Sequence, residues 1–95
     1  MDHECFSIRS KEALRTALEG FRDFYVKTGR VVALDKFKDY LSDCLPRVRF
    51  IQHKESPVVS VSHWGYIGAI IHTDTKTLEI LPETDKGLST TIQLA

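Results

Sequence analysis

Apolar residues spaced three and four positions apart dominate the first part of the chain. From about Lys11 to Thr28 they fall on one side of a helix, and Gly29 is placed to end it. A second stretch with this spacing covers about residues 36–45 and is followed by Pro46. Because proline disfavours the helical conformation of the residue before it, the second helix either stops there or kinks and continues to about residue 54.

The second half of the chain is rich in β-branched residues. Three valines precede the sequence His63-Trp64-Gly65, and a further apolar run extends from Tyr66 to Ile71. Two such runs around a short turn are typical of a β-hairpin, which we predict over about residues 57–72. Residues 77–81 fit a strand or a short helix, and residues 83–95 show no clear pattern and predict a mobile tail.

These elements predict one α+β domain, residues 1–95, in which a small antiparallel sheet packs against two helices. Residues 47–53 leave a second architecture open, because they also alternate as an edge strand does. In that case the sheet is a four-stranded antiparallel meander with both helices on one face. We divide the domain into an N-terminal helical extension (1–30), a central core (31–73) and a C-terminal segment (74–95).

Charge is balanced over the whole chain but not along it. Thirteen basic and thirteen acidic residues give a formal net charge of zero, so no overall field attracts the protein to nucleic acid. The central block, residues 30–54, nevertheless holds six bases and three acids. Its basic residues form either a solvated helix face or a local site for phosphate groups. The candidates for DNA contact are Lys36, Lys38, Arg47 and Arg49.

Other classes of function find little support in the sequence. Two cysteines, Cys5 and Cys44, do not make a disulfide framework, and the four histidines lack the spacing of a metal site, so we expect neither metal nor cofactor. No motif for nucleophilic or acid/base catalysis is present, so we expect no enzyme activity. No apolar stretch reaches bilayer length, and acidic residues stand where a secretory signal is basic; the expected location is the cytoplasm, away from membranes.

Three short motifs resemble the DNA-binding and dimerisation module of the Phd/YefM (prevent-host-death) antitoxins. Lys38-Asp39-Tyr40-Leu41-Ser42 looks like the motif of that family's first helix. Pro57-Val58-Val59 and the run from Gly65 to Ile71 look like its hairpin. The resemblance covers about residues 31–71. Pro46 falls inside the family's first helix, and Ser62 stands where many members carry an arginine that contacts DNA.

The resemblance implies a non-enzymatic antitoxin that neutralises a toxin sterically and represses its own operon. A homodimer would then bind operator DNA through Lys36, Lys38 and Arg47, with Arg49 nearby. The residues expected to form the core or the dimer interface are Phe37, Leu41, Val58, Val59, Ile67, Ala69 and Ile71.

A different class of function is also compatible with the sequence. The meander architecture, which Pro46 favours, fits a protein-interaction module that does not bind DNA. Such a module would act as an immunity protein or as a phage-encoded inhibitor, and would block an enzyme or a nucleoprotein complex. Its partner would be a protein, and the sequence does not name it.

Overall fold

Two helices precede five strands in the computed structural model, which describes residues 3–29, 31–82 and 87–95. The α+β class, with two helices and an antiparallel sheet, is confirmed. Within the described residues, neither helix has an apolar stretch long enough to cross a bilayer. The elements are α1 (His3–Thr28), α2 (Leu34–Cys44), β1 (Val48–Gln52), β2 (Val58–His63), β3 (Tyr66–His72), β4 (Thr77–Ile80) and β5 (Thr90–Gln93).

The sheet is an open meander in the order β1-β2-β3-β4-β5, and every neighbouring pair is antiparallel. It differs from the four-stranded meander by one strand, because residues predicted to form a tail include β5 and add it to the sheet. Short apolar runs joined by tight turns pair in sequence order, so no crossover is needed. Residues 83–86, which belong to the predicted tail, lie outside the described residues.

Both helices differ from their predicted limits. The helix predicted from Lys11 begins instead at His3 and continues through Ser10 without a break. The second helix ends at Cys44, and the extended backbone of Leu45 (φ −133°) caps it. Its continuation to residue 54 was therefore wrong, because Pro46 forces the preceding residue out of the helical region. The segment from Pro46 onward instead turns into β1.

Val31 and Val32, two β-branched residues just before α2, do not form a regular strand. Val32 makes a single parallel bridge to Leu94 next to β5, and the backbone N–H of Ala95 donates to the carbonyl of Val32 at 3.0 Å. This contact covers part of the outer edge of β5. The opposite edge of the sheet, formed by β1, pairs with no other strand among the described residues.

One hydrophobic core lies between the helices and one face of the sheet. Cross-strand rows from β2 to β5 line the sheet side, and the apolar stripes of both helices lie above them. Side chains from all three predicted segments share this core, so α1 is part of the domain rather than an appendage. The largest fully buried side chains are Phe37, Leu14, Leu18, Leu41, Ile71, Leu78 and Val61.

Gly68 sets how closely α1 approaches the sheet. The β2–β3 register shifts between Val61 and Ser62, which leaves Gly68 without a partner in β2. A Cβ atom at Gly68 would lie 2.7 Å from Cδ2 of Leu14 and 3.1 Å from Cδ1 of Leu18. We therefore expect Gly68→Ala to lower the free energy of unfolding by about 1–3 kcal/mol, because an overfilled core displaces side chains or the helix. Urea denaturation followed by circular dichroism measures this loss.

A double-mutant cycle identifies the cause of the loss at Gly68. Leu14→Ala removes the methyl group that the new Cβ would strike, so Gly68→Ala should cost less in that background than in the native chain. A coupling energy of about 0.5 kcal/mol or more between the two substitutions is expected. Strictly additive effects would show that the contact between α1 and β3 is not what Gly68 protects.

Candidate functional site

The two faces of the sheet differ in what covers them. One face carries the core, whereas no helix among the described residues packs on the other, which we call the outer face. The strand registers align outer-face side chains in rows across β1, β2 and β3. Ser60 and Ser62 are buried there between larger neighbours, and the isoleucines beside them stay partly or largely exposed. The rows are Arg49–Ser62–Ile67 and Ile51–Ser60–Ile70.

The β2–β3 turn presents a tryptophan at one end of the outer face. Trp64 (φ 55°) and Gly65 (φ 87°) are the two central residues of a hairpin turn, and positive φ at both is the requirement of a type I′ turn. Glycine adopts this conformation freely, whereas a bulky residue such as tryptophan does so at a cost of about 1–3 kcal/mol. The side chain of Trp64 remains 53% exposed. Residues held in such sparsely populated backbone conformations cluster at functional sites, which makes Trp64 a candidate.

Two neighbours fix the position of the Trp64 ring. The guanidinium carbon of Arg47 lies 5.8 Å from the ring centroid, in cation–π contact. The ring of His63 meets Trp64 edge-on at a centroid distance of 6.3 Å. His63 is itself buried, and its Nδ1 donates to the carbonyl of Ser10 at 2.8 Å, which ties the turn to α1. Trp64 is therefore anchored from both sides.

A basic and apolar surface surrounds this ring. Residues from the start of β1 and from the turn enclose a concavity of about 430 Å³. In the described part of the chain, no carboxylate lies within ion-pair distance of Arg47 or Arg49. We call this region the Trp64 surface and define it as Arg47, Arg49, Ile51, Trp64 and Ile67.

The structure separates the four predicted DNA-contact residues. Arg47 and Arg49 belong to the Trp64 surface. Lys38 lies on the opposite side of β1, where its Nζ is 5.6 Å from the ring centroid of Phe50. Lys36 instead lines a groove of about 460 Å³ between the two helices, together with Phe24 and other apolar residues. Three of the four therefore flank β1, and one does not.

The residues predicted for the core or a dimer interface fall into two groups. Five of them face one another inside a single chain, where they are buried between the helices and the sheet: Phe37, Leu41, Val59, Ala69 and Ile71. A second copy is not needed to cover them. The other two, Val58 and Ile67, lie on the outer face, and Ile67 is 44% exposed.

His53 and His72 contact neighbouring side chains, and Cys44 lies beside Tyr40. His53 contacts Ser60 at 2.6 Å, and His72 donates to Glu79 at 3.1 Å. Among the described residues, no group of three metal-ligating side chains comes together. Cys44, the last residue of α2, is exposed. Burial raises the pKa of the Tyr40 hydroxyl, and the adjacent Cys44 raises it further; the hydroxyl donates to the carbonyl of Ala17.

Sequence reasoning found the basic half of this site and missed its aromatic half. Arg47 and Arg49 were selected by charge, whereas Trp64 was taken only as a turn residue. A signal was present, because the residue before the glycine of a two-residue hairpin turn is normally asparagine, aspartate or glycine. Tryptophan is therefore an unusual residue at this position of the turn.

Comparison with known proteins adds no relative to this picture. The chain matches no protein-family model, no curated protein and no solved structure.

Proposed function

We propose that the protein is a non-enzymatic interaction module that blocks a partner protein by docking the Trp64 surface against an acidic region of it. The observation that supports this most is the exposed Trp64, held in left-handed backbone beneath Arg47. Tryptophan and arginine are the residues most enriched where a few side chains carry most of the binding energy. Arg47 immediately precedes β1, and Trp64 lies in the two-residue turn between β2 and β3, so the paired strands hold both residues and reduce the ordering required on binding.

Charge supports an acidic partner. The Trp64 surface carries two arginines and no acidic residue. On the outer face, Glu79 lies on β4 and is engaged by His72. Exposed isoleucines beside the arginines provide the apolar part of the contact. An inhibitor of an enzyme or of a nucleoprotein complex fits this chemistry where the target presents clustered carboxylates that a basic surface can cover. The proposed location is the cytoplasm, where the exposed thiol of Cys44 stays reduced.

A charge reversal tests this proposal. Chain immobilised through its N-terminus would be used to capture binding proteins from the source cell, and each candidate would be purified and titrated directly. Arg47→Glu/Arg49→Glu should weaken binding by about 30-fold or more, and the native affinity should fall as salt is raised. The matched control is Lys27→Glu/Lys76→Glu, which changes net charge equally at exposed positions outside the surface.

The outcomes of this titration are distinct. Loss of binding in the arginine variant alone, together with loss of inhibition of the partner's activity, supports the proposal. Binding of both double variants with the affinity of the native chain would contradict the proposal. Equal weakening of both would indicate a diffuse electrostatic attraction without a defined surface.

A second candidate is the DNA-binding antitoxin that the Phd/YefM resemblance implies. Its support is that Lys38, Arg47 and Arg49 flank the same strand. If it is right, retardation of DNA from upstream of the gene should weaken with salt, with a log–log slope of about −0.9 per phosphate contacted. Lys38→Ala should then lower the slope by about one. A salt-independent profile, or no retardation, removes this candidate.

A further inference from the structure

Among the described residues, none pairs with the outer edge of β1. At the other side of the sheet, Val32 bridges Leu94 and accepts a hydrogen bond from Ala95. Next to β1, no described strand occupies the corresponding position. An exposed strand edge is a template for pairing with another extended segment.

The backbone of β1 offers hydrogen-bonding groups in register. The N–H of His53 donates to the carbonyl of Val58, which marks this as a hydrogen-bonded pair. Because such pairs alternate in an antiparallel ladder, residues 49 and 51 also turn their backbone groups toward β2. Phe50 and Gln52 therefore direct their N–H and C=O groups outward. Two consecutive docking positions are available to a sixth strand.

Positive charge flanks this edge on both faces of the sheet. Arg47 and Arg49 lie toward the outer face, and Lys38 reaches over Phe50 on the helix side. Self-pairing of two antiparallel β1 strands would bring these six charges together, so charged edges of this kind oppose association with a second copy. An extended segment with acidic side chains would instead meet opposite charge on either face.

We propose that β1 receives an extended acidic segment of the partner protein as a sixth strand. This rests on the proposed function and specifies the partner: its bound part is a strand rather than a helix or a preformed surface. Backbone pairing with Phe50 and Gln52 gives affinity, and alternate acidic side chains on the outer face, where Arg49 lies, give specificity. The strand would run beside the Trp64 surface, which contacts the rest of the partner.

A proline substitution isolates the backbone contribution. Gln52→Pro removes an outward N–H that the fold does not use, and proline is tolerated at such positions of edge strands. Gln52→Ala is the matched control, because it removes the side-chain bonds from Nε2 to the carbonyls of Ser56 and His53 while keeping the N–H. Circular dichroism and thermal unfolding of both variants establish that the sheet is intact.

The probe is a synthetic peptide, acetyl-Thr-Glu-Val-Glu-Val-Glu-Thr-amide, titrated into the ¹⁵N-labelled full chain. We expect chemical-shift changes and slowed hydrogen exchange at the amides of Phe50 and Gln52. Gln52→Pro should weaken peptide binding by about tenfold, the equivalent of about 1.4 kcal/mol, whereas Gln52→Ala should bind within about twofold of the native chain. N-methylation of alternate peptide bonds should abolish binding.

Several results would overturn the proposal. These are unchanged binding of Gln52→Pro or of the N-methylated peptide, the absence of shifts at both amides with millimolar peptide, and tighter binding of an oligothymidylate than of the peptide. Dimerisation of the free chain through β1 would also overturn it. A different result would show that the proposed function is wrong. In that case the Arg47→Glu/Arg49→Glu variant would bind the partner with native affinity, whether or not Gln52→Pro weakens binding.

Discussion

Replacing Phe37 with alanine is expected to lower the free energy of unfolding by about 3–5 kcal/mol. Phe37 is fully buried, and its ring meets that of Phe21 edge-on at 4.9 Å with an interplanar angle of 64°. Substitution by alanine removes the buried ring, its contact with Phe21 and the packing contacts around the two rings. A domain of this size is stable by only about 5–15 kcal/mol, so the loss removes a large share of the total. Urea denaturation monitored by circular dichroism gives the value.

Phe24→Ala is the matched control for this substitution. It deletes the same side chain from α1 rather than α2, but Phe24 is 55% exposed and lines the groove between the helices. Its loss should cost no more than about 1 kcal/mol. Similar losses at both positions would mean that the groove, rather than the sheet-facing stripe of α2, carries the stability of the helical layer.

The contrast between these two phenylalanines shows how far the sequence determines the fold. Period-3.6 spacing places both on an apolar stripe, but only packing against the sheet decides which is buried. Pro46 marked the end of α2 because proline acts on its immediate neighbour. The hairpin was predictable because two long apolar runs enclose its turn. The features that the sequence left open depend on contacts between residues that are far apart in the chain.

Strand β5, which the sequence did not predict, shows what a local pattern cannot reveal. Residues Thr90–Gln93 include three β-branched residues, but the run is only four residues long and holds a single large apolar side chain, so it is too short to be recognised as a strand from its own pattern. Their strand conformation depends on pairing with β4, which buries Ile92 and Leu94. Local pattern cannot supply a contact of this kind, because the driving force is burial against residues elsewhere in the chain.

The candidate site has the same division between local and long-range information. Arg47 and Arg49 could be selected by charge, and Trp64 was visible as a residue of the turn. Their convergence requires β1 to pair with β2 in one register, and the sequence left residues 47–53 open between helix and strand. The positive φ of Trp64, on which the proposal for this residue rests, is a property of the folded turn.

Trp64→Asn is expected to have opposite effects on binding and on stability. Asparagine followed by glycine is the preferred pair for a type I′ turn, so the substitution should relieve the backbone strain at φ 55°. The lost cation–π contact with Arg47 offsets part of the gain, at about 0.5–1 kcal/mol for an exposed pair. The net result should be stability equal to the native chain or higher by up to about 1 kcal/mol.

Binding should respond in the other direction, because the asparagine variant lacks the aromatic ring at the centre of the Trp64 surface. A central tryptophan of an interface contributes about 2 kcal/mol or more, so the affinity for the partner should fall by about 30-fold or more. Thermal unfolding and direct titration of the same preparation measure both effects. Trp64→Phe distinguishes the effect of the aromatic ring on binding from the effect of backbone strain on stability. It keeps an aromatic side chain and the unfavourable φ, so it should retain most of the binding without the gain in stability. Normal partner binding by Trp64→Asn would contradict the assignment of the surface. Loss of both stability and binding would show that Trp64 stabilises the hairpin rather than recognising a partner.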